Sequence, residues 1–372
     1  MRFSLLKTLI GGADQAEFAR LILRDRALFA RQTVVDNHDH ARFGFDGIDR
    51  SGVIDADEHS SFQELFREHA GDFLAASRLL RDSESQQLFR RLILYRMLGP
   101  AHVAIREGAG WRGEAELYRQ AKTYDKGESR LPVDGLFGRI HHHTGVPTPS
   151  GAVSLDCWNA NVVYTALKRQ YFLTRGDIVV EPGTGDIVVD AGACFGDTAV
   201  YFAKAVGESG HVHAFDPLPA HTAVIDFNVA QNGLQDRISV VPLAVGDTTT
   251  AAAPPVARPP GNLQAQPGFS LRGSASQVPV TSLDDFARER RLARVDFIKM
   301  DVEGFELAAL KGAERLIERC RPRLAISLYH RPCDLFELPL WIADRFPWYE
   351  FSLDHYTIHH EETVLFASPR PE

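Results

Sequence analysis

One stretch of the sequence constrains the fold more than any other: Ile187 to Ala203, which reads IVVDAGACFGDTAVYFA. An apolar run ends in an acid, two glycines follow within a few residues, and an amphipathic segment then begins. This pattern predicts a strand, a tight turn and the N-terminus of a helix. In α/β proteins such a turn holds a nucleotide-like ligand, because glycine lets the backbone approach the ligand closely.

Strands and helices alternate from this stretch to the C-terminus, which predicts right-handed crossovers and a mostly parallel α/β sheet. Seven strands are predicted, and the last two are expected to form an antiparallel edge hairpin because their connection is short. In chain order the strand sequences are DIVVDAG, HVHAFD, ISVVPLAVG, VDFIKMD, PRLAISLYH, YEFSLDHY and TVLFASP.

The domain organisation follows from changes in pattern along the 372 residues, 44% of which are hydrophobic. Residues 1–125 have apolar residues at helical spacing and predict an N-terminal helical domain. Residues 126–175 are rich in Gly, Pro and Ser and are interpreted as a connecting segment. Residues 176–372 predict the α/β domain, with a Pro-, Ala- and Gly-rich insertion at 248–277 that is expected to be irregular.

The residues of the turn distinguish between ligand classes. A phosphate-binding P-loop requires a lysine after its last glycine, but Asp197 and Thr198 follow Gly196, which argues against a nucleoside triphosphatase. A dinucleotide fingerprint requires GxGxxG, whereas Gly192 and Gly196 give G-x-x-x-G with Cys194 between them. An acid at the helix N-terminus also occupies the place of a pyrophosphate. The turn therefore favours a nucleoside that lacks phosphates.

S-adenosylmethionine is a ligand of this kind. Its methionine amine requires a carboxylate, which Asp190 or Asp197 can supply. Its ribose hydroxyls require an acid at the end of the second strand, where Asp216 lies. We favour this role for Asp216 over the alternative that it caps the helix after Pro217.

The C-terminal half contains five characteristic blocks: VVDAGACFGDTAVYFA, AFDPLPAH, LAVGD, VPVTSLDDF and VDFIKMDVEGFELAALKGAERLI. Together they resemble the FkbM family of S-adenosylmethionine-dependent methyltransferases, and IKMDVEGFE is the most specific part. The resemblance runs from about Gly176 to the C-terminus. It implies a seven-stranded Rossmann-like class I methyltransferase fold, S-adenosylmethionine as cofactor, and O-methylation, often of a sugar hydroxyl in glycan or natural-product assembly.

The resemblance also implies which residues bind the cofactor. The block LAVGD suggests that Ala244 and Asp247 lie near the adenine. The family often has Glu-Pro where this chain has Asp-Pro, an exchange of acids that should preserve the ribose contacts. The resemblance further implies that acids and glycines at the ends of the first two strands bind the cofactor: Asp190, Gly192, Gly196, Asp197 and Asp216.

Catalytic candidates follow the fourth strand, because methyl transfer requires an aligned acceptor oxygen and a group that takes up its proton. Lys299 and Asp301 point to the same face, since the side-chain period of a strand is two. A lysine inside a central strand must be paired, so a catalytic role and a structural ion pair both remain open. Glu303 is the next candidate for the acceptor hydroxyl, whereas the helix dipole suffices to explain Glu306.

His330 is predicted to end the fifth strand, where a histidine can accept the proton of the acceptor hydroxyl. The alternative is a surface histidine before Pro332. Asp334 and Trp341 are further candidates for the acceptor pocket, although core packing is the favoured interpretation of Trp341. Sequence spacing alone does not assign a role to any of these residues, so each role is an expectation.

The net charge and the spacing of the cysteines argue against several other classes of protein. The formal charge of -8, without a basic stripe, argues against a nucleic-acid partner. The four cysteines form no CxxC pair, so we expect no disulfide framework or zinc site and a cytoplasmic location. No segment approaches the roughly 18 apolar residues of a membrane span. The N-terminal apolar stretch is interrupted by Lys7 and Gly11, so it predicts a helix start and not a signal peptide.

Two histidine clusters contain possible metal ligands, His141–His143 and Asp36–His40. A solvated polar loop is the better interpretation of both, because no partner ligands follow from the spacing. No metal is therefore predicted. The three consecutive histidines remain candidates for the border of a substrate entrance.

Two rival functions share the predicted fold. The first is an NAD-dependent oxidoreductase, against which the interrupted GxGxxG and the acid at the helix start argue. The second is a non-catalytic binding module in which the N-terminal helices dock a partner. Charges retained at Asp190, Asp216, Lys299 and Asp301 argue against a degenerate scaffold. The N-terminal helices are also the predicted site of any homo-oligomer contact.

Overall fold

The computed structural model describes residues 12–34, 56–106, 110–135, 137–250 and 278–371. The Asp36–His40 cluster, the first 11 residues and most of the predicted insertion (251–277) lie outside the described residues.

The helices and strands are numbered in chain order. The helices are α1 (Gly12–Phe29), α2 (Ala56–Glu68), α3 (Ala70–Leu79), α4 (Ser83–Leu98), α5 (Trp111–Tyr124), α6 (Asn159–Asn161), a π-helix (Val162–Leu167), α7 (Asp197–Val206), α8 (Pro219–Gln231), α9 (Leu283–Glu289), α10 (Glu306–Lys311), α11 (Glu314–Cys320) and α12 (Asp334–Arg345). The strands are β1 (Asp125–Glu128), β2 (Asp134–Gly135), β3 (Gly138–Arg139), β4 (His141–Thr148), β5 (Gly151–Cys157), β6 (Leu173–Arg175), β7 (Ile178–Val180), β8 (Ile187–Ala191), β9 (His211–Phe215), β10 (Ile238–Val241), β11 (Ala244–Val245), β12 (Val280–Thr281), β13 (Phe297–Met300), β14 (Arg323–Ser327), β15 (Tyr349–His355) and β16 (Thr363–Pro369).

The described chain divides into two compact units. The first contains the described residues up to Glu116 and those from Leu328 onward. The second contains the described residues from Leu117 to Ser327. Within the described ranges, no helix has both the length and the apolar character needed to cross a bilayer.

Seven strands form the main sheet, in the order β10-β9-β8-β13-β14-β16-β15. Strands β8, β9, β10, β13 and β14 pair in parallel, whereas β15 and β16 form an antiparallel hairpin. These are the seven strands that the sequence predicts, so the mostly parallel sheet with its C-terminal edge hairpin is confirmed. Every residue of β13 is buried, as expected for a strand covered on both faces.

The strand order changes direction at β8, which has β9 on one side and β13 on the other. A crevice forms at the carboxyl ends of the strands at such a point. In this register Asp190 of β8 lies opposite Lys299 of β13 and Ala214 of β9. The fold thus brings two charged residues that are far apart in sequence to the same edge of the sheet.

The first unit contains the N-terminal helices α1 to α4. Its core is built on the fully buried Phe73 of α3. Ring centroids 4.9–6.3 Å from that of Phe73 belong to Phe62, Phe66, Phe89 and Phe336. Aromatic contacts between helices therefore contribute to this core, beside buried aliphatic side chains such as Ile22 and Ile93.

Strand β15 is joined to the N-terminal helices by hydrogen bonds. The Asp82 carboxylate caps α4 by accepting from the Ser85 backbone N–H at 2.8 Å. The Ser85 hydroxyl oxygen accepts from the Leu353 N–H at 2.8 Å, and the Phe351 carbonyl accepts from the Arg81 N–H at 2.9 Å. The first unit thus combines helices and a C-terminal hairpin that the sequence analysis assigned to different domains.

The segment interpreted as a connection contains a sheet of its own. Strands β1, β4 and β5 form an antiparallel sheet, and the Pro149–Ser150 turn joins β4 to β5. The expectation that His141–His143 lie in a loop is wrong, because they begin β4. Pro149 and Ser150 form the turn of the β4–β5 hairpin, since these residues favour tight turns, whereas Gly145 and Pro147 lie within β4.

The three consecutive histidines have separate partners. His141 Nδ1 lies 2.9 Å from Asp125, and His142 Nδ1 lies 2.7 Å from Asp156. His143 is fully buried, and its Nε2 lies 3.1 Å from the Asn159 side chain. Each side chain is thus engaged in a different contact within the second unit.

The β4–β5 hairpin is fastened to helix α8 by the fully buried Asn228. The Asn228 side-chain oxygen accepts from the Asp156 N–H at 2.7 Å. Its amide nitrogen donates to the carbonyls of Asp156 (3.0 Å) and Phe195 (2.8 Å). One side chain therefore links β5, α8 and the turn that precedes α7.

Candidate cofactor and acceptor site

The turn after β8 needs glycine at two positions. Gly192 has a φ of 83°, and a Cβ atom there would overlap the carbonyl oxygen of Asp301. Gly196 has a φ of 78°, and a Cβ atom there would lie 2.9 Å from Cγ2 of Ile225. The carbonyl of Phe215 in β9 accepts the backbone N–H of Gly192 at 3.0 Å. The turn is thus pressed against the ends of both neighbouring strands.

A buried ion pair lies beneath this turn. Lys299 is 1% exposed, Asp190 is 0% exposed, and Lys299 Nζ lies 3.0 Å from Asp190 Oδ1. Lys299 Nζ also donates to the carbonyl of Gly192 at 2.5 Å, and the Thr198 hydroxyl donates to Asp190 Oδ2 at 2.6 Å. These contacts support the structural ion pair that the sequence analysis left open, because the ammonium group holds the turn itself.

Electrostatics keep Lys299 charged. Burial by itself would lower the pKa of Lys299, but the carboxylates of Asp190 and Asp301 outweigh burial and raise the pKa. An ammonium with a raised pKa is a poor proton acceptor. Lys299 is therefore suited to positioning the turn and to offsetting nearby negative charge.

Asp197, the first residue of α7, is buried and bound by the preceding segment of chain. It accepts hydrogen bonds from the Thr165 hydroxyl at 2.5 Å and from the Asn161 amide at 3.1 Å. Burial raises the pKa of Asp197 to about 6, the Thr165 hydrogen bond opposes this rise, and the charge of Asp190 adds to it. Thr165 and Asn161 are supporting residues that the sequence analysis missed.

Asp216 follows β9 and already accepts several protein hydrogen bonds. Its carboxylate accepts from the N–H groups of Cys194 (3.1 Å) and Leu218 (2.9 Å) and lies 3.1 Å from His221 Nδ1. The Leu218 contact agrees in part with the capping alternative, since α8 begins at Pro219. A carboxylate has about four lone-pair positions, so ribose binding by Asp216 stays a prediction that these contacts permit.

The other turn residue with an unusual backbone is Cys194, whose φ is 48°. Burial raises the pKa of its thiol well above the ordinary value, and the charges of Asp216 and Asp197 add to the rise. The thiol is therefore protonated and unsuited to act as a nucleophile.

Ala244 and Asp247, the residues predicted to contact the adenine, belong to the second unit. Ala244 begins the short strand β11, pairs with Val280 of β12, and is half-buried. Asp247 is exposed and borders a shallow polar groove that Asp284, Lys311 and Arg315 also line. Their roles toward adenine stay predictions.

Asp301 lies directly beside the glycine turn. Its backbone N–H donates to the Ala191 carbonyl at 3.0 Å, and its Oδ2 accepts from the Tyr171 hydroxyl at 2.8 Å. The half-buried Glu303 has a φ of 57°, and the buried Glu306 accepts from the Val302 N–H at 2.9 Å. The three acids after β13 thus have different surroundings, and Asp301 is the one that lies against the glycine turn.

His330, Asp334 and Trp341 belong to the first unit. His330 lies three residues beyond the end of β14, and it is buried, which argues against the surface alternative. Asp334 accepts from the side-chain Nε of Arg331 at 2.8 Å. Trp341 is half-buried, and its ring lies 5.9 Å from that of Phe346.

Residues 190–356 match the family model described as the Methyltransferase FkbM domain. The chain carries an FkbM methyltransferase domain. The cofactor of the FkbM domain is S-adenosylmethionine, and the seven-stranded sheet is a Rossmann-like class I methyltransferase fold. The match begins at Asp190, so the segment with Asn161, Thr165 and Tyr171 precedes it.

Solved structures add a comparison of fold. Methyltransferase FkbM from Methylobacillus flagellatus KT has 19% identity and a TM-score of 0.51, and the match covers 82% of this chain and 60% of that protein. Fibrillarin from Aeropyrum pernix, bound to S-adenosylmethionine, has 13% identity and a TM-score of 0.36, and the match covers 61% of this chain and 88% of fibrillarin. The O-methyltransferase from Bacillus cereus, in complex with SAH, has 10% identity and a TM-score of 0.35, and the match covers 69% of this chain and 90% of that protein. Comparison with curated proteins found no match.

Proposed function

We propose that the protein transfers a methyl group from S-adenosylmethionine to a hydroxyl group, most specifically a sugar hydroxyl of a glycan or natural product. The observation that carries the proposal is the position of Asp301, beside the glycine turn of an FkbM domain. An acid at this place can meet an acceptor hydroxyl next to the donor methyl group.

The turn fits the proposed cofactor better than a dinucleotide. Its helix begins with the carboxylate of Asp197, and the ammonium of Lys299 is already paired with Asp190. A pyrophosphate would meet a buried acid at the helix N-terminus, whereas the cationic donor would meet a favourable charge. Gly192 lacks the Cβ atom that would overlap the Asp301 carbonyl, so the turn lies directly against the residue that we assign to the acceptor.

The chemistry is an in-line displacement. When bound, S-adenosylmethionine supplies a methyl group on a positively charged sulfur. We assign ribose binding to Asp216 and binding of the methionine amine to Asp197 or Asp190. We assign to Asp301 the proton of the acceptor hydroxyl, which leaves as the oxygen–methyl bond forms. Glu303 and His330 are the other two candidates for that proton.

The proposal also concerns surroundings and partners. We propose a cytoplasmic location, which agrees with the free state of all four cysteines. We further propose that the acceptor is a small molecule or a glycan and not a nucleic acid. Any homo-oligomer would form through the N-terminal helices.

Binding and transfer test the proposal in turn. Titration should show S-adenosylhomocysteine binding and no NADH binding, and the reverse result would favour an oxidoreductase. The protein is then incubated with methyl-¹³C S-adenosylmethionine and a panel of methyl glycosides of hexoses and 6-deoxyhexoses. We expect a ¹³C methyl ether on at least one sugar, detected by mass spectrometry.

Three variants then identify the residue that takes up the proton. Asp301→Asn should bind S-adenosylhomocysteine normally and give no methyl ether, whereas Glu303→Gln and His330→Gln should retain transfer. Transfer by Asp301→Asn at the wild-type rate would overturn the assigned role of Asp301. The absence of any methyl ether with the wild-type protein would overturn the sugar acceptor.

A further inference from the structure

Tyr171 joins the site from a part of the chain that precedes the FkbM domain. It lies between the π-helix and β6, and its side chain is 4% exposed. Its hydroxyl donates to Asp301 Oδ2 at 2.8 Å. The two residues are 130 positions apart in the sequence, so this contact is a product of the fold.

A second contact sets the direction of the Tyr171 hydrogen bond. The buried Gln170 donates its amide N–H to the Tyr171 oxygen at 3.2 Å. The Tyr171 oxygen is therefore an acceptor toward Gln170, and its own hydrogen is directed toward Asp301. The Gln170 backbone N–H in turn donates to the Tyr164 carbonyl at 3.0 Å, which ties this pair to the π-helix.

The ring of Tyr171 also contacts the ion pair beneath the turn. Lys299 Nζ lies 5.2 Å from the ring centroid, within the range of a cation–π interaction. Tyr171 thus contacts two charged side chains. Its ring lies over the ammonium of Lys299, and its hydroxyl donates to the carboxylate of Asp301, which follows β13. Few side chains could replace both contacts at once.

We propose that Tyr171 is a positioning residue for methyl transfer, which holds Asp301 through Oδ2 so that the other carboxylate oxygen is presented to the acceptor hydroxyl. The inference rests on the proposed function of Asp301. Tyr171 keeps its own proton throughout. The acceptor proton passes to Asp301 as the oxygen–methyl bond forms and the sulfur–methyl bond breaks, with its electron pair remaining on sulfur, and Asp301 later releases the proton to water.

The first test compares two tyrosine-to-phenylalanine variants. Tyr171→Phe keeps the ring over Lys299 and removes the hydrogen bond to Asp301. The matched control is Tyr201→Phe, since Tyr201 is also buried, lies on α7 and packs against Phe172 at 5.1 Å. With a methyl glycoside that the wild type methylates, Tyr171→Phe should lower kcat about tenfold. The KM for S-adenosylmethionine should change by less than about twofold in both variants, and kcat of the control should match the wild type.

The second test restores the hydroxyl group. Incorporation of 3-fluorotyrosine in place of Tyr171 keeps an O–H donor at the same place and should return kcat to within about threefold of the wild type. A purely structural role would not separate kcat from KM in this way. The inference is overturned if Tyr171→Phe retains wild-type kcat, or if 3-fluorotyrosine is as slow as phenylalanine.

A wild-type protein that methylates no glycoside on the panel would count against the proposed acceptor and not against Tyr171. The inference is then judged from ¹³C NMR of protein labelled at the aspartate side-chain carboxyl carbons, in complex with S-adenosylhomocysteine. The Asp301 resonance, assigned with Asp301→Asn, should move in Tyr171→Phe and stay in Tyr201→Phe. An unmoved Asp301 resonance in Tyr171→Phe would overturn the inference.

Discussion

Lys299 and Asp190 form an ion pair beneath the glycine turn, with 3.0 Å between Nζ and Oδ1 and almost no exposure of either side chain. The Lys299 ammonium also bonds to the carbonyl of Gly192. A single charged side chain therefore links two neighbouring strands and the backbone of the turn. The stability of this part of the sheet should depend on both charges being present.

Removal of the ammonium should destabilise the protein strongly. Lys299→Met leaves the Asp190 carboxylate buried without its cation, which should lower the free energy of unfolding by about 3–5 kcal/mol. Urea denaturation followed by circular dichroism measures the change. Lys311→Met, at an exposed lysine of the same unit, should change it by less than about 0.5 kcal/mol. Adding Asp190→Asn to Lys299→Met should recover part of the loss, and no recovery would contradict the ion-pair explanation.

Gly192 should tolerate no side chain. Gly192→Ala places a methyl group on the Asp301 carbonyl, so we expect a loss of more than about 2 kcal/mol in the free energy of unfolding and loss of S-adenosylhomocysteine binding. Gly233→Ala is the matched control, because Gly233 has a φ of 65° and a Cβ added there would have no atom of the described residues beyond its chain neighbours within 4 Å. It should cost only about 1–2 kcal/mol from its backbone conformation. Calorimetric titration and urea denaturation distinguish steric overlap from the cost of a left-handed backbone.

Asp197 should make stability fall as the pH rises. Its pKa is raised from 3.8 to about 6 in the folded protein, so the folded state holds this proton more tightly than the unfolded state does. The free energy of unfolding therefore decreases between about pH 4 and about pH 6, by roughly 3 kcal/mol from this group, and is then constant.

The measurement is the difference between the wild type and Asp197→Asn, taken from urea denaturation at several pH values. The wild type should lose stability relative to the variant across this interval. Thr165→Val removes the hydrogen bond that opposes the rise in the pKa of Asp197, so it should extend the interval to higher pH. A difference that is independent of pH would refute the assignment.

Asp216 should contribute to cofactor affinity. Asp216→Asn weakens an anionic acceptor of hydroxyl hydrogen bonds, so S-adenosylhomocysteine should bind about tenfold more weakly. Calorimetric titration measures the dissociation constant. Asp226→Asn, at an exposed acid on α8, is the control and should leave the affinity unchanged. Equal affinities for Asp216→Asn and the control would leave Asp216 with a purely structural role.

The sequence predicts the sheet well because strand character is a local pattern. The alternation in β13 places Lys299 and Asp301 on one face, and the structure joins both to Tyr171. Tyr171 and Thr165 themselves could not be predicted. Their partners lie 130 and 32 positions away, and neither residue stands in a motif that indicates a contact.

The β4–β5 hairpin shows a different limit of sequence reasoning. Composition suggested a connection, because Gly, Pro and Ser serve in hairpin turns as well as in linkers. The pairing of His142 with Asp156 across the hairpin depends on the register of β4 and β5, and composition does not reveal that register. The polar contacts of such a hairpin become clear only when both strands are placed.

The attachment of β5 to α8 by Asn228 affects how the FkbM domain can be produced on its own. A fragment that begins at Asp190, where the family match begins, would lack Asp156 and with it two of the hydrogen bonds of the Asn228 side chain. A fragment that keeps both contacts has to include β5 and its hairpin partner β4. A shortened gene that is meant to produce the FkbM domain should therefore retain the codons of the hairpin.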